Sequence, residues 1–335
     1  MGSNPTGTAI ATPQLHVFGI LPGCLASRRV VGGVSSNQRV ARPAPGRWLG
    51  RVLAIAVLAF FSVFFALPLA WLLLAPTKSS TQLNGLHGEQ PFSFGSLDQL
   101  AQNWSSLVAY QDGIIWTWLG NSILYTGGAL VLTILVTIPA GYALAMTTFV
   151  GRRVLLIATL LVMLIPSVAL ALPIFLELST VHLVNTPLAV ILPFAFFPFG
   201  VYLAYIYFST TMSRDLLDAA RIDGAGELRV FTKIAMPLAT PVIALVGFFN
   251  FVGNWNNYFL PFITQPGSRK MPVQVGLTEL LSNTPTFNPT NIASLTISLP
   301  QLALATLISV APVLVVFLFS QRFLVSGLTA GATKE

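Results

Sequence analysis

A chain of 335 residues with only 8% charged and 54% hydrophobic side chains is not an ordinary soluble domain, where about a quarter of residues carry charge; so much apolar surface calls for lipid as solvent. Its net charge of +7 does not mark a nucleic-acid binder, because the basic residues sit at the edges of apolar runs and do not cluster on one face. One cysteine, Cys24, and three scattered histidines, His16, His87 and His182, exclude an intrachain disulfide and a Cys/His metal cluster.

Residues 1–48 are rich in Gly, Pro, Ser, Ala and Arg and contain no Asp or Glu. The favoured reading is a disordered cytoplasmic tail that buries too little surface to fold. An Arg-rich transit peptide and a start assigned too far upstream are the alternatives. Residues 49–335 form the membrane domain. A spanning helix needs about 20 apolar residues, and six runs meet that length: 52–75, 119–147, 154–176, 188–208, 237–263 and 302–323. The third holds Pro166 and Pro173, which predict kinks, since each proline frees a carbonyl that neighbouring groups must satisfy. The fold class expected is therefore an all-α membrane protein with six transmembrane helices.

Positive charge orients the bundle. With the amino terminus inside, the cytoplasmic segments hold Arg39, Arg42, Arg47, Arg51, Arg152, Arg153, Arg214, Arg221, Arg229, Lys233, Arg322 and Lys334, against Lys78, Arg269 and Lys270 outside. Both termini are then cytoplasmic, and the long outer loops are 76–118 and 264–301. The stretch 291–323 exceeds one span. Its first part reads either as an outer helix ending near Pro300 or as the start of span six.

None of these runs carries an ionisable residue in its interior, which argues against an autonomous proton-driven carrier. The chain lacks a G-x-x-x-x-G-K-[ST] phosphate loop and any plausible Ser/His/Asp site in a span. A solute moved uphill would draw its energy from another chain. A self-sufficient secondary transporter and an assembly scaffold remain the rival classes.

The cytoplasmic loop 211–241 carries the strongest signal. Ser213 is placed to N-cap a short helix with Asp215 in its first turn; Leu216, Leu217 and Ala220 lie on one side, and Gly224 is suited to end it. A second helix is expected from Ala225 to Ile234, stopping before Pro237. Arg214 with Asp218, and Asp218 with Arg221, stand at ion-pair spacing. Ala219 and Ala220 are small enough for another surface to approach the backbone. Four acidic and four basic residues between Arg214 and Lys233 tell against a helix lying on headgroups, which is usually strongly basic.

Asp218-Ala219-Ala220-Arg221-Ile222-Asp223-Gly224-Ala225, followed by Phe231, Pro237 and Pro241, resembles the EAA loop of ABC importer permeases, with Asp218 where that family usually has Glu. The stretch from Gly253 to Pro261, the ending from Gln321 to Lys334, and Asn121-Ser122 are similar to carbohydrate-type permeases related to the smaller membrane subunit of the maltose importer. The resemblance extends from Val52 to Lys334. It implies a type I ABC importer permease fold in the bacterial inner membrane, and a helix-in-groove contact of Asp218, Ala219, Ala220, Arg221, Asp223, Gly224 and Ala225 with a partner ATPase dimer. It also implies a second ATPase contact at Gly327 and Gly331 in the tail 321–335, a second homologous permease, and a solute-binding protein outside. ATP and Mg would sit on the ATPase, with no cofactor on this chain. The solute class implied is carbohydrate, with amino acids or another polar solute as the alternative. Asn121, Asn250, Asn254, Trp255 and Asn257 are candidates for the solute path. Interhelical hydrogen bonds for the asparagines and an aromatic belt for Trp255 and Tyr258 are the favoured readings beside that role.

Overall fold

Pro166 stands at a break between helices, whereas Pro68, Pro139, Pro173 and Pro312 lie inside continuous ones. The computed structural model describes residues 46–83, 92–289 and 296–329, and every regular element among them is helical. Residues 1–45, most of the expected tail, lie outside this range, as do Gly331 and Lys334. The chain divides after Val57. In the leading unit the described residues are the first turns of α1 (Gly46–Leu74), which expose Val52, Leu53 and Ile55. In the main unit α1 continues with Phe60, Phe61, Phe64 and Phe65 exposed and stacked in i, i+4 pairs. A helix apolar on all sides is stable only in lipid or against another helix.

A 3-10 turn (Ala75–Thr77), the short α2 (Ser80–Leu83) and α3 (Leu97–Ala109) follow. The Ser96 hydroxyl caps α3 by accepting from the Gln99 N–H at 3.0 Å. The axis of the main unit is α4 (Ile114–Met146), 33 residues and so about 50 Å long, more than the hydrocarbon thickness. It packs along α7 (Leu188–Ala195), α8 (Pro198–Thr211) and α12 (Thr240–Trp255), and α12 packs along α15 (Leu299–Thr329). Where α4 crosses α8, a Cβ on Gly141 would run into the Ala204 methyl and the Tyr205 backbone nitrogen. Small residues permit such close crossings in membranes.

Between α4 and α7 lie α5 (Arg152–Val162) and α6 (Ser167–Thr180), bent by 107° at Pro166. The expected kink is thus a full break. After α8 come α9 (Arg214–Ile222), α10 (Glu227–Val230), a π turn (Phe231–Ala235) and α11 (Met236–Leu238), then α12 at 75°. The short α13 (Phe259–Thr264) and α14 (Val273–Ser282) precede α15. Among the described residues, four helices are long and apolar enough to cross a membrane, or up to six if each bent pair is one span.

Several expected boundaries change. The fifth apolar run is not one helix. It ends at Trp255, and α13 is separate because residues 256–258 leave the helix. Helix does not stop before Pro237 but runs to Leu238 through the π turn, whose wider i→i+5 ladder begins a new turn with proline in its first positions, where a missing N–H costs little. The third run extends to Thr180 and takes in Glu177. Pro300 lies in the first turn of α15, and residues 296–298 are not helical, so no outer helix ends there; 291–295 lie outside the described residues. Gly327 sits within α15, which stays helical to Thr329 beyond the expected end of span six.

Apolar side chains form two separate cores at the two ends of α4. Trp118, Leu107, Ile115, Trp255, Val273, Leu280 and Ile297 fill the one near Ile114. Tyr142, Phe208, Leu217, Val230 and Val246 fill the one near Met146.

Candidate functional site

The loop between α8 and α12 folds into a helical hairpin on the Met146 end of α4. Leu217 on α9 and Val230 on α10 are fully buried there, and Ala220, Ala225, Phe231 and Ile234 pack against the same core. The helix ends in a Schellman motif. Gly224 has φ +83°, its N–H donates to the Arg221 carbonyl, and the Ala225 N–H donates to the Ala220 carbonyl, both at 3.0 Å. Glycine takes this left-handed conformation without the steric penalty of a Cβ, which is what the sequence pattern anticipated.

Arg221 locks the two arms. It donates to Asp218 Oδ1 at 2.6 Å and to both Glu227 carboxylate oxygens at 2.7 and 3.2 Å. That fork holds the Glu227 carboxyl below its ordinary range, and the hydrogen bonds to Glu227 and then Asp218 push the Arg221 pKa up. Both partners are exposed, so the gain in stability is small. The expected Arg214–Asp218 pair does not form. Arg214 instead donates to the Ala145 carbonyl at 3.3 Å, which also receives Arg152 at 3.4 Å. This carbonyl belongs to the last turn of α4, where the helix dipole favours cations. Ser213 occupies the cap position, but its hydroxyl makes no capping bond.

The two alanines part company: Ala220 packs inward, whereas Ala219 is exposed. Leu216, expected beside Leu217, points out as well. With Ile222 (86% exposed) and Leu228 (77% exposed) it gives the hairpin exposed apolar side chains among its exposed charged ones. Ile222 and Leu228 were not singled out in the sequence as contact residues; isoleucine and leucine inside a helical loop read as core until the fold shows their direction. Asp223, also exposed, stands at the C-cap beside them.

The candidate path residues are engaged within the chain. Pro198 has no N–H to close onto the Phe194 carbonyl four residues back, and α7 parts from α8 there. Buried Asn250 (2% exposed) donates to that carbonyl at 3.2 Å, and the Thr133 hydroxyl reaches it and the Ala195 carbonyl at 3.4 and 3.2 Å. Asn254 donates to Asn250 Oδ1 at 3.0 Å. Asn257 accepts from the Leu260 N–H at 3.4 Å, at the start of α13. Trp255 closes α12 facing the interior. It is buried, stacked on Phe251 with centroids 5.5 Å apart, and donates to the Ser309 carbonyl at 3.0 Å.

Asn121 belongs to a stripe on α4 that holds the segment before α14. Trp118 donates to the Ser268 carbonyl (2.7 Å), Asn121 to those of Arg269 and Met271 (2.9 Å each), and Tyr125 to that of Lys270 (2.8 Å), while Ser122 accepts from the Val273 N–H (2.8 Å). Positions 118, 121, 122 and 125 share one helical face. A Cβ on Gly276 would collide with the Trp118 ring, so glycine at this position lets α14 lie against α4.

Known proteins resemble this chain in sequence and in fold. The family described as "Binding-protein-dependent transport system inner membrane component" matches residues 137–330, which include the hairpin. The arabinooligosaccharide transport system permease AraQ of Halalkalibacterium halodurans is 33% identical over 289 residues, covering 86% of this chain and 96% of its own. The Bacillus subtilis AraQ is 31% identical over 290 residues, covering 84% and 96%. The diacetylchitobiose uptake permease NgcG of Streptomyces coelicolor is 29% identical over 281 residues, covering 82% and 86%. Among solved structures, a bacterial ABC transporter that imports the acidic polysaccharide alginate shares the fold, with TM-score 0.71 and 24% identity over 84% of this chain and 98% of that one. Such a permease is the non-catalytic, multi-pass inner-membrane component of an ABC complex, and nucleotide is bound by the ATPase of the system. With this match over more than half its length, the chain belongs to the family of inner-membrane permease components of binding-protein-dependent ABC importers.

Proposed function

We propose that this permease carries an oligosaccharide, crossing the membrane six times with both termini inside and pairing with a second, homologous permease around a shared path. An ATPase subunit grips the α9–α10 hairpin, a second one grips the sister subunit, and a solute-binding protein delivers the sugar to the opposite face. Carbohydrate as the solute class is supported by the relatives named for arabinooligosaccharides, diacetylchitobiose, maltodextrin and lactose. The orientation is supported by the placement of Arg and Lys.

The observation that carries the mechanism is the hairpin itself: the exposed apolar side chains of Leu216, Ala219, Ile222 and Leu228 on a scaffold fixed by Gly224 and Arg221. Apolar side chains on a water-facing helix mark a docking surface, and an amphipathic helix laid in a groove is a recurring mode. ATP-driven closure of the ATPases moves this hairpin, and the clasp of Arg214 on Ala145 passes the motion to α4. The two membrane halves then rock as rigid bodies. Moving such an equilibrium from 1:99 to 99:1 takes about 5.5 kcal/mol of differential binding.

The test is crosslinking in membranes. In a Cys24→Ser background, Ala219→Cys should crosslink to a cysteine placed in the ATPase cleft and be shielded from reagents added outside. Labelling of Ala219→Cys from the outer side, or no ATPase crosslink, would overturn the docking role. Ile222→Asp should insert normally, because that side chain is exposed, yet fail to retain the ATPase on purification.

A further inference from the structure

Glu177 lies in the last turn of α6, inside the helix that the sequence pattern ended one residue earlier. Its carboxylate has no partner within the chain among the described residues. It lines a cavity of about 430 Å³ between α6 and α7, walled by Ile174 and Val181 on one side and by Leu192, Pro193 and Phe196 on the other. That volume falls within the range of small-molecule sites, which typically combine apolar walls with a few placed polar groups. The cavity reaches from the outer turn of α6 to Phe196, the residue where α7 and α8 part.

Glu177 is exposed and stands past the apolar run, in the last turn of α6, so its carboxylate is open to water and to a solute that enters the groove. A sugar ring matches this lining. Its hydroxyls donate charge-assisted hydrogen bonds to a carboxylate, and its CH face packs on aliphatic and aromatic walls. We propose that the α6–α7 groove is a carbohydrate-contact site on the translocation path, with Glu177 accepting sugar hydroxyls and Phe196 and Leu192 meeting the apolar face of the ring. This rests on the oligosaccharide reading given above.

The experiment uses the complete transporter, with sister permease, ATPases and binding protein in proteoliposomes, and radiolabelled arabinotriose as the probe. A hydrogen bond to a charged group is worth enough that Glu177→Gln should lower kcat/KM for uptake about tenfold or more, with Glu177→Asp recovering part of it. ATP hydrolysis stimulated by the unliganded binding protein should be unchanged. Uptake by Glu177→Gln equal to wild type overturns the site. So does loss of the sister permease on purification of Glu177→Gln, which assigns the carboxylate to a cation on that subunit. Wild-type transporter that takes up no arabino-, malto- or chito-oligosaccharide overturns the carbohydrate reading itself, separately from the groove.

Discussion

The two ends of α4 are built on opposite principles. At the Ile114 end, polar side chains on one helical stripe bind four carbonyls and an N–H of the segment 268–273, and Trp118 is sealed beneath Gly276. At the Met146 end the packing is aromatic: Tyr142 lies 5.4 Å from Phe208 and 5.0 Å from Phe231. There the Thr137 and Tyr142 hydroxyls are buried without a hydrogen-bond partner among the described residues. One end is fastened by directional bonds that fix a single geometry. The other is held by aromatic and aliphatic contacts, an exposed ionic lock, and the cations of Arg214 and Arg152 on the Ala145 carbonyl. In the mechanism proposed above, the first end is the seat and the second is the part that moves.

Substitutions can break or sharpen the contrast. Gly224→Pro should have the largest effect on function: proline fixes φ near −65° where the chain needs +83°, and it removes the N–H that serves the Arg221 carbonyl. Uptake should be abolished with membrane insertion intact; transport at the wild-type rate would contradict the role assigned to the hairpin. Asp223→Arg should act in the same direction. Gly224→Ala meets no atom within 4 Å and should lose only about 1–2 kcal/mol of local stability, giving partial uptake.

Trp118→Ala should have the largest effect on stability, about 3–5 kcal/mol, seen as a lowered Tm in detergent with little direct effect on ATPase binding. Asn250→Leu leaves the Phe194 carbonyl to Thr133 alone and should cost about 1 kcal/mol, in line with membrane hydrogen bonds. Tyr142→Phe removes an orphaned hydroxyl and should be neutral or slightly stabilising; a clear fall in Tm would show that the hydroxyl is bonded in the membrane. The Arg221–Glu227 lock should be the mildest. Because the carboxyl is held below its usual range, its contribution is complete above the unfolded value of about 4.3 and fades as pH falls through the folded one. Hydrogen exchange of residues 221–227, corrected for intrinsic rates, should be flat from pH 7 to about 4.3 and rise below it.

What could be read before the fold was known shares one property: it is local. The short helix ending at Gly224 follows from its own residues, as does the Asp218–Arg221 pair three positions apart. The carbonyls freed by proline were also foreseeable, but their partners were not. Asn250 serves Phe194 from 56 residues away, and in the same way the last-turn carbonyl of Ala145 is met by Arg214 from 69. Nothing in a linear pattern distinguishes an asparagine facing a solute from one facing a broken helix, so the candidate path residues acquired internal partners instead. Trp255 misled for a related reason, since its position at the end of a span resembles that of an interfacial anchor while its indole N–H finds a carbonyl on α15. Glu177 stands one residue beyond the apolar run 154–176, so hydropathy alone gives it no place in the bundle.

The Ala145 carbonyl receives guanidinium groups from α5 and α9 at once. It therefore works as a shared hub on which three helices bear. A push on the hairpin cannot tilt α9 alone: either it drags α4 and α5 along as one lever, or it strips a cation from that oxygen. In the coupling proposed above, this carbonyl is where force applied to the hairpin passes into α4 and α5.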